Sequence, residues 1–148
     1  MIAEDDENTC FLIQRAYKNI GMVLPVHFVS DGEAAIEYLN GVGRFQDRSQ
    51  FPLPALLLLD LKMPRKNGLE VLEWLRQSSC RELIVVMFSG SDDERDVRAA
   101  YQLCVNSFIH KPVNFSELQQ TLAAIHEYWF GYNYPPNAGG VGRKRATS

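Results

Sequence analysis

A doubly wound α/β fold, with five parallel strands in one sheet and five helices on its two faces, is what this chain of 148 residues predicts. Three observations carry that expectation. Short continuous apolar runs, above all Ala55-Leu56-Leu57-Leu58-Leu59, lack the alternation of a half-wetted strand and match strands buried on both faces. Between such runs lie segments whose apolar residues recur with the period of a helix packed on one side. Polar residues that a core cannot use stand at the strand ends, where open parallel sheets place their ligands. Right-handed crossovers leave few other topologies.

Met1-Ile2-Ala3 reads as the tail of a first strand, short against the usual ~5–6 residues, and it runs into Glu4-Asp5-Asp6-Glu7. Ile13, Ala16, Tyr17 and Ile20 share one helical face, which stops at Gly21. Residues 25–29 predict a second strand, Ser30-Asp31-Gly32-Glu33 a turn and cap, and 33–40 a helix with Ala35, Ile36 and Leu39 inward, ending at Gly41. The polar stretch 42–54 exceeds the 2–6 residues or so usual between helix and strand, so it is expected to be a surface insertion. After the central strand and the loop Met63-Pro64-Arg65-Lys66-Asn67-Gly68 comes a helix with Leu69, Leu72 and Leu75 in the core. Residues 83–88 predict the fourth strand. Asp92 and Asp93 suit the first turn of the next helix, expected to bury Val97, Ala100, Tyr101 and Cys104. A fifth strand at 105–109 closes in His110-Lys111-Pro112. The last helix is capped by Asn114 or Ser116 and carries Leu118, Leu122, Ile125 and Trp129. One domain over 1–130 and a flexible tail over 131–148 follow, since the tail lacks apolar periodicity.

The formal charge of -3 supplies no general attraction to nucleic acid or an anionic membrane. Cys10, Cys80 and Cys104 are odd in number and widely spaced, which indicates neither a disulfide framework nor a zinc site and suits a reducing cytoplasm. With no signal core and no run near the roughly 18 apolar residues of a membrane span, the expected location is cytoplasmic.

Glu4 and Asp5, Asp60, Ser89 and Lys111 end four different strands, and in a parallel sheet those ends share one edge. Carboxylates brought that close repel unless a cation joins them. An oxygen-only cluster suits Mg²⁺, which keeps waters and bridges to phosphate. An aspartate can accept a phosphoryl group as an acyl phosphate while a lysine and the ion neutralise the transferring oxygens. The Ser89 hydroxyl can donate to one of them.

These residues resemble the receiver domain of two-component response regulators, over about residues 1–130. Leu58-Leu59-Asp60-Leu61-Lys62-Met63-Pro64 with Asn67-Gly68 is similar to the family's phosphoacceptor segment. The resemblance implies a CheY-like, flavodoxin-like fold. It implies Asp60 as acceptor from a sensor histidine kinase or phosphotransfer protein, and Mg²⁺ held by Asp5, Asp60, Glu4 and the backbone carbonyl of Lys62. Ser89 and Phe108 would be the switch pair and Lys111 the conserved-type lysine, with a cis peptide between Lys111 and Pro112. The long 42–54 loop and Tyr128-Trp129-Phe130 look most like stand-alone receivers paired with bacterial phytochromes. Output would then be phosphorylation-dependent docking to an unknown downstream protein, with a homodimer through the aromatic end of the last helix. Cys104-Val105 departs from the family's usual Gly-Ala, and Ser89 is its less common hydroxyl.

Singly, each feature has an ordinary reading. Glu4-Asp5 can be capping charge, Asp60 a turn former and Lys111-Pro112 a turn dipeptide. Their coincidence at aligned strand ends is what favours chemistry. The role of Phe108 rests on the resemblance alone, and the scattered His27, His110 and His126 suggest no ligand set. The rivals are a receiver-like binding module that works without phosphorylation, an Asp-dependent phosphohydrolase and a flavin carrier. The second wants a carboxylate where Lys62 stands. The third wants a phosphate loop where the acidic run 4–7 would repel it.

Overall fold

A computed structural model of the protein describes residues 1–134. Strands β1 (Ile2–Ala3), β2 (Phe28–Val29), β3 (Leu56–Leu59), β4 (Ile84–Ser89) and β5 (Ser107–His110) form one parallel sheet in the order β2-β1-β3-β4-β5. Helices α1 (Glu7–Asn19), α2 (Gly32–Asn40), α3 (Gly68–Gln77), α4 (Glu94–Gln102) and α5 (Phe115–His126) alternate with them. This is the doubly wound α/β architecture expected. Because side chains alternate along a strand, Leu57, Leu59, Val85 and Met87 enter one core with Leu39, Val71, Leu72 and Ala100 of α2, α3 and α4. Ile2, Leu58, Val86 and Phe88 enter the other, with Ile13, Ala16, Leu122 and Ile125 of α1 and α5. Both faces of β3 are thus covered, which is why its four residues can all be apolar.

Acceptor side chains start the helices. Asp6, Asp31, Asp93 and Asn114 each accept from backbone N–H groups of the first turn, and Asn67 forms a reciprocal capping box with Glu70. Asn114, not Ser116, is therefore the cap of α5.

Several local expectations are corrected. The second strand is only Phe28–Val29, because it pairs with β1 alone and β1 offers two residues. The fifth begins at Ser107, not 105. Tyr101 and Cys104 are exposed rather than buried. Helix α4 ends at Gln102, and Cys104, at φ 57, swings the chain so that Val105 enters the core instead.

The 42–54 segment is not a loose surface insertion. Its Phe45 is buried and, with Phe51, stacks edge-on and tilted against buried Tyr38. Arg48 ties it down: its guanidinium donates to the carbonyls of Tyr38 (2.8 Å), Leu39 (2.7 Å) and Phe51 (3.1 Å), satisfying the open end of α2. Past α5 the winding continues as a π-helical segment, Glu127–Tyr132, through the residues where a tail was expected to begin. The remainder of that predicted tail, from 135, lies outside the described residues.

Candidate functional site

The parallel register brings the polar strand ends together. The Glu4 N–H donates to the Val29 carbonyl (2.9 Å), that of Asp60 to Ala3 (2.9 Å), and that of Lys111 to Ser89 (2.8 Å), so each residue sits one step beyond the ladder on the same edge. Oxygens of Glu4, Asp5 and Asp60 all lie within 4.8 Å of one another. The Lys111 ammonium stands between two of them, 2.6 Å from Glu4 Oε2 and 3.1 Å from Asp60 Oδ1. Glu4 and Asp60 are only 3% and 6% exposed, whereas Asp5 forms the open rim.

Burial dominates the electrostatics. It pushes the carboxyls of both Glu4 and Asp60 above their ordinary values, and Lys111 only partly offsets this. For Lys111 burial works against the charge, but the hydrogen bond to Glu4 and the field of Asp60 prevail and hold the ammonium above its usual range. One lysine faces three carboxyl groups, so a second cation fits. The donors are hard oxygens at the spacing a divalent ion can bridge. The Cys10 Sγ lies 3.7 Å from the Glu4 carbonyl, and burial pushes this thiol up to about 11.

Ser89 is buried at the end of β4, where its hydroxyl accepts from the Ser91 N–H (3.1 Å), and the Ser91 hydroxyl donates to Asp96 on α4 (2.6 Å). Phe108 lies beside Met87 in the β4–β5 register, half-buried against the core under α3 and α4. Lys62 is exposed in the β3–α3 loop. That loop closes on itself where the Gly68 N–H donates to the Leu61 carbonyl (2.8 Å). The Lys111–Pro112 bond is not cis as expected; the described residues contain no cis peptide, in keeping with the trans preference that even prolyl bonds retain.

The sequence reading missed Asp31 and Arg65 as partners. Asp31 is buried, caps α2 and pairs with Arg65 from the β3–α3 loop. An acid before a Gly in a turn was the available signal for Asp31; nothing local marks Arg65. Among the described residues no helix is long and apolar enough to cross a membrane.

The family model of the response regulator receiver domain matches residues 1–123. A probable methanogenesis regulatory protein of Methanothrix harundinacea, FilR2, is 36% identical over 137 residues, 92% of this chain and 86% of that one. Response regulator Rcp1 of Synechocystis is 32% identical over 130 residues, 87% of this chain and 86% of that one. Its solved Mn²⁺-bound form matches with a TM-score of 0.81 and 31% identity, over 91% of this chain and 96% of that one. The solved phosphorylated cyanobacterial phytochrome response regulator RcpA reaches a TM-score of 0.84 at 34% identity, over 91% of this chain and 95% of that one. With strand order, acidic edge and the lysine between two of its carboxylates already in place, these matches along nearly the whole described chain establish that it belongs to the response regulator receiver domain family.

Proposed function

We propose that Asp60 is the phosphoacceptor of this receiver and that its phosphorylation by a sensor histidine kinase, directly or through a phosphotransfer protein, controls docking to a downstream protein. The observation that carries the reading is Lys111 Nζ bridging Glu4 and Asp60 at 2.6 and 3.1 Å beside the open carboxylate of Asp5. An Asp60 carboxylate oxygen attacks phosphorus, the N–P bond of the phosphohistidine breaks, and its electron pair returns to the imidazole. Lys111 holds the acceptor in place and then neutralises a phosphoryl oxygen. The buried Ser89 hydroxyl, which accepts from the Ser91 N–H and has its proton free to give, donates to another, and its movement toward that oxygen pulls on Ser91, whose own hydroxyl is tied to Asp96 on α4. Phe108, on the neighbouring strand, follows by turning inward.

Mg²⁺ held by Glu4, Asp5, Asp60 and the Lys62 carbonyl would supply the remaining positive charge. Its affinity should be pH-dependent in a definite direction. Glu4 and Asp60 are held above 4.5 and 3.8 in the folded chain, so the metal-free protein gains stability as pH falls from neutral through those raised values, a gain complete below the unfolded ones. The ion needs the ionised forms, so it is lost over the same window. Calorimetric titration with Mn²⁺ between about pH 7 and pH 4 is expected to show affinity falling about tenfold or more, near the ordinary range of carboxylates. A flat profile would remove these two acids from the site.

The output surface is the face of α4, β5 and α5, where Tyr101, Val113 and Tyr128 are exposed beside half-buried Trp129. A second copy of this chain is one partner for it; sedimentation as a monomer with and without beryllofluoride would argue against that. The kinase we favour is a bacterial phytochrome, on the strength of the similarity to RcpA and Rcp1. Self-catalysed phosphorylation gives the direct test of function. With acetyl phosphate and Mg²⁺ the intact mass should rise by one phosphoryl group that hydroxylamine removes. An unchanged mass would favour a binding module that works without phosphorylation.

A further inference from the structure

Arg65 is one of two residues other than glycine, among those described, with positive φ (64°), a backbone region that L side chains seldom adopt without a neighbour to hold them there. What holds it is the turn between β2 and α2. Its guanidinium pairs with the buried carboxylate of Asp31 and lies 3.8 Å from Glu33. Next in sequence, the Lys66 carbonyl presses on Gly32 so closely that a Cβ there would fall 2.1 Å from it. The tip of the β3–α3 loop is thus clamped to a separate element, while its base is closed by Gly68. The segment between base and tip carries Lys62, two residues past Asp60.

We propose that Arg65 is a positioning residue for the divalent ion, its pair with Asp31 clamping the β3–α3 loop so that the backbone at Lys62 stays within reach of the acidic cluster. This rests on the reading of that cluster as a metal site. The clamp fixes where the loop's oxygen ligand stands rather than contributing charge, and that makes its effect opposite in sign to simple electrostatics. Deleting a cation near an acidic cluster strengthens cation binding by field alone; deleting a clamp weakens it.

The test is Mn²⁺ titration of the full chain by calorimetry and by the EPR signal of the free ion. Arg65→Gly removes the pair but accepts the positive φ, so the loop backbone is not strained by the change. Asp31→Asn keeps an oxygen to cap α2 through the Ala34 N–H but removes the charge and turns an amide NH2, a donor, toward Arg65. Each is expected to raise the Mn²⁺ dissociation constant about tenfold, the usual scale for outer supports of a metal ligand, measured at a temperature where circular dichroism shows the variant folded, since loss of the buried Asp31 charge lowers the unfolding midpoint as well. Arg65→Lys should recover part of the loss, and the double variant should be no worse than either single one. Tighter or unchanged binding in Arg65→Gly, or losses that multiply in the double variant, would overturn the clamp while leaving the metal site standing. Failure of the unaltered chain to bind Mn²⁺ would overturn the metal reading first and the clamp with it.

Discussion

Asp60→Asn is expected to abolish phosphoryl incorporation from acetyl phosphate and from any cognate kinase, with no residual slow phase at a second carboxylate. Asn is isosteric but has no anionic oxygen to attack phosphorus. The alternatives are poor: Glu4 is still more buried and already occupied by Lys111 at 2.6 Å, and Asp5 stands at the rim. The same substitution should leave the fold intact and raise the unfolding midpoint slightly. Burial holds Asp60 above its ordinary value, so its charge is carried at a cost, and removing it leaves Lys111 paired with Glu4. Intact-mass measurement and urea unfolding on the same preparation check both halves. Full incorporation into the variant would move the acceptor elsewhere.

Gly68→Ala should be the most damaging single methyl near the site. A Cβ at Gly68 would lie 2.3 Å from the carbonyl oxygen of Asp60 and 3.0 Å from the Leu61 Cα, both backbone atoms that cannot rotate away. Either the start of α3 lifts off the strand end, losing the Gly68-to-Leu61 hydrogen bond, or β3 gives way around Asp60. We expect a loss of about 3 kcal/mol in urea unfolding, at the upper part of the range for overpacking, together with slowed phosphorylation because the displaced atoms adjoin the acceptor. Gly21→Ala makes a useful contrast. No atom lies within 4 Å of a Cβ there, and the cost reduces to its positive φ of 69°. Equal stability changes in the two variants would show that the contact with Asp60 is not what Gly68 is for.

Much of the site was legible before any coordinates, for a geometric reason. Once the strands are recognised as parallel, their C-terminal residues must share an edge, so Glu4, Asp5, Asp60, Ser89 and Lys111 could be grouped without knowing a distance. The apolar run of β3 gave both its burial and its central place. Periodicity failed where one-sided patterns met an element's end. Tyr101 and Cys104 continue the apolar spacing of α4, yet Tyr101 faces solvent from the last turn and Cys104 falls beyond the helix end at Gln102, exposed as well. Composition failed at 42–54, whose polar average hid Phe45, Phe51 and Arg48, three residues that bind to Tyr38 and the end of α2.

By itself, then, the sequence determined the alternation of strands and helices, the two-faced burial of the sheet and the residue types available at its edge, since each follows from local pattern and the period of the backbone. Only the tertiary structure decided that Lys111 sits between Glu4 and Asp60, that Asp5 alone stays open, and that Arg65 reaches Asp31 across 34 positions of chain. Those are contacts between side chains from different elements. Pattern along the chain constrains which face a residue takes, whereas the partner it meets there depends on how separate elements pack.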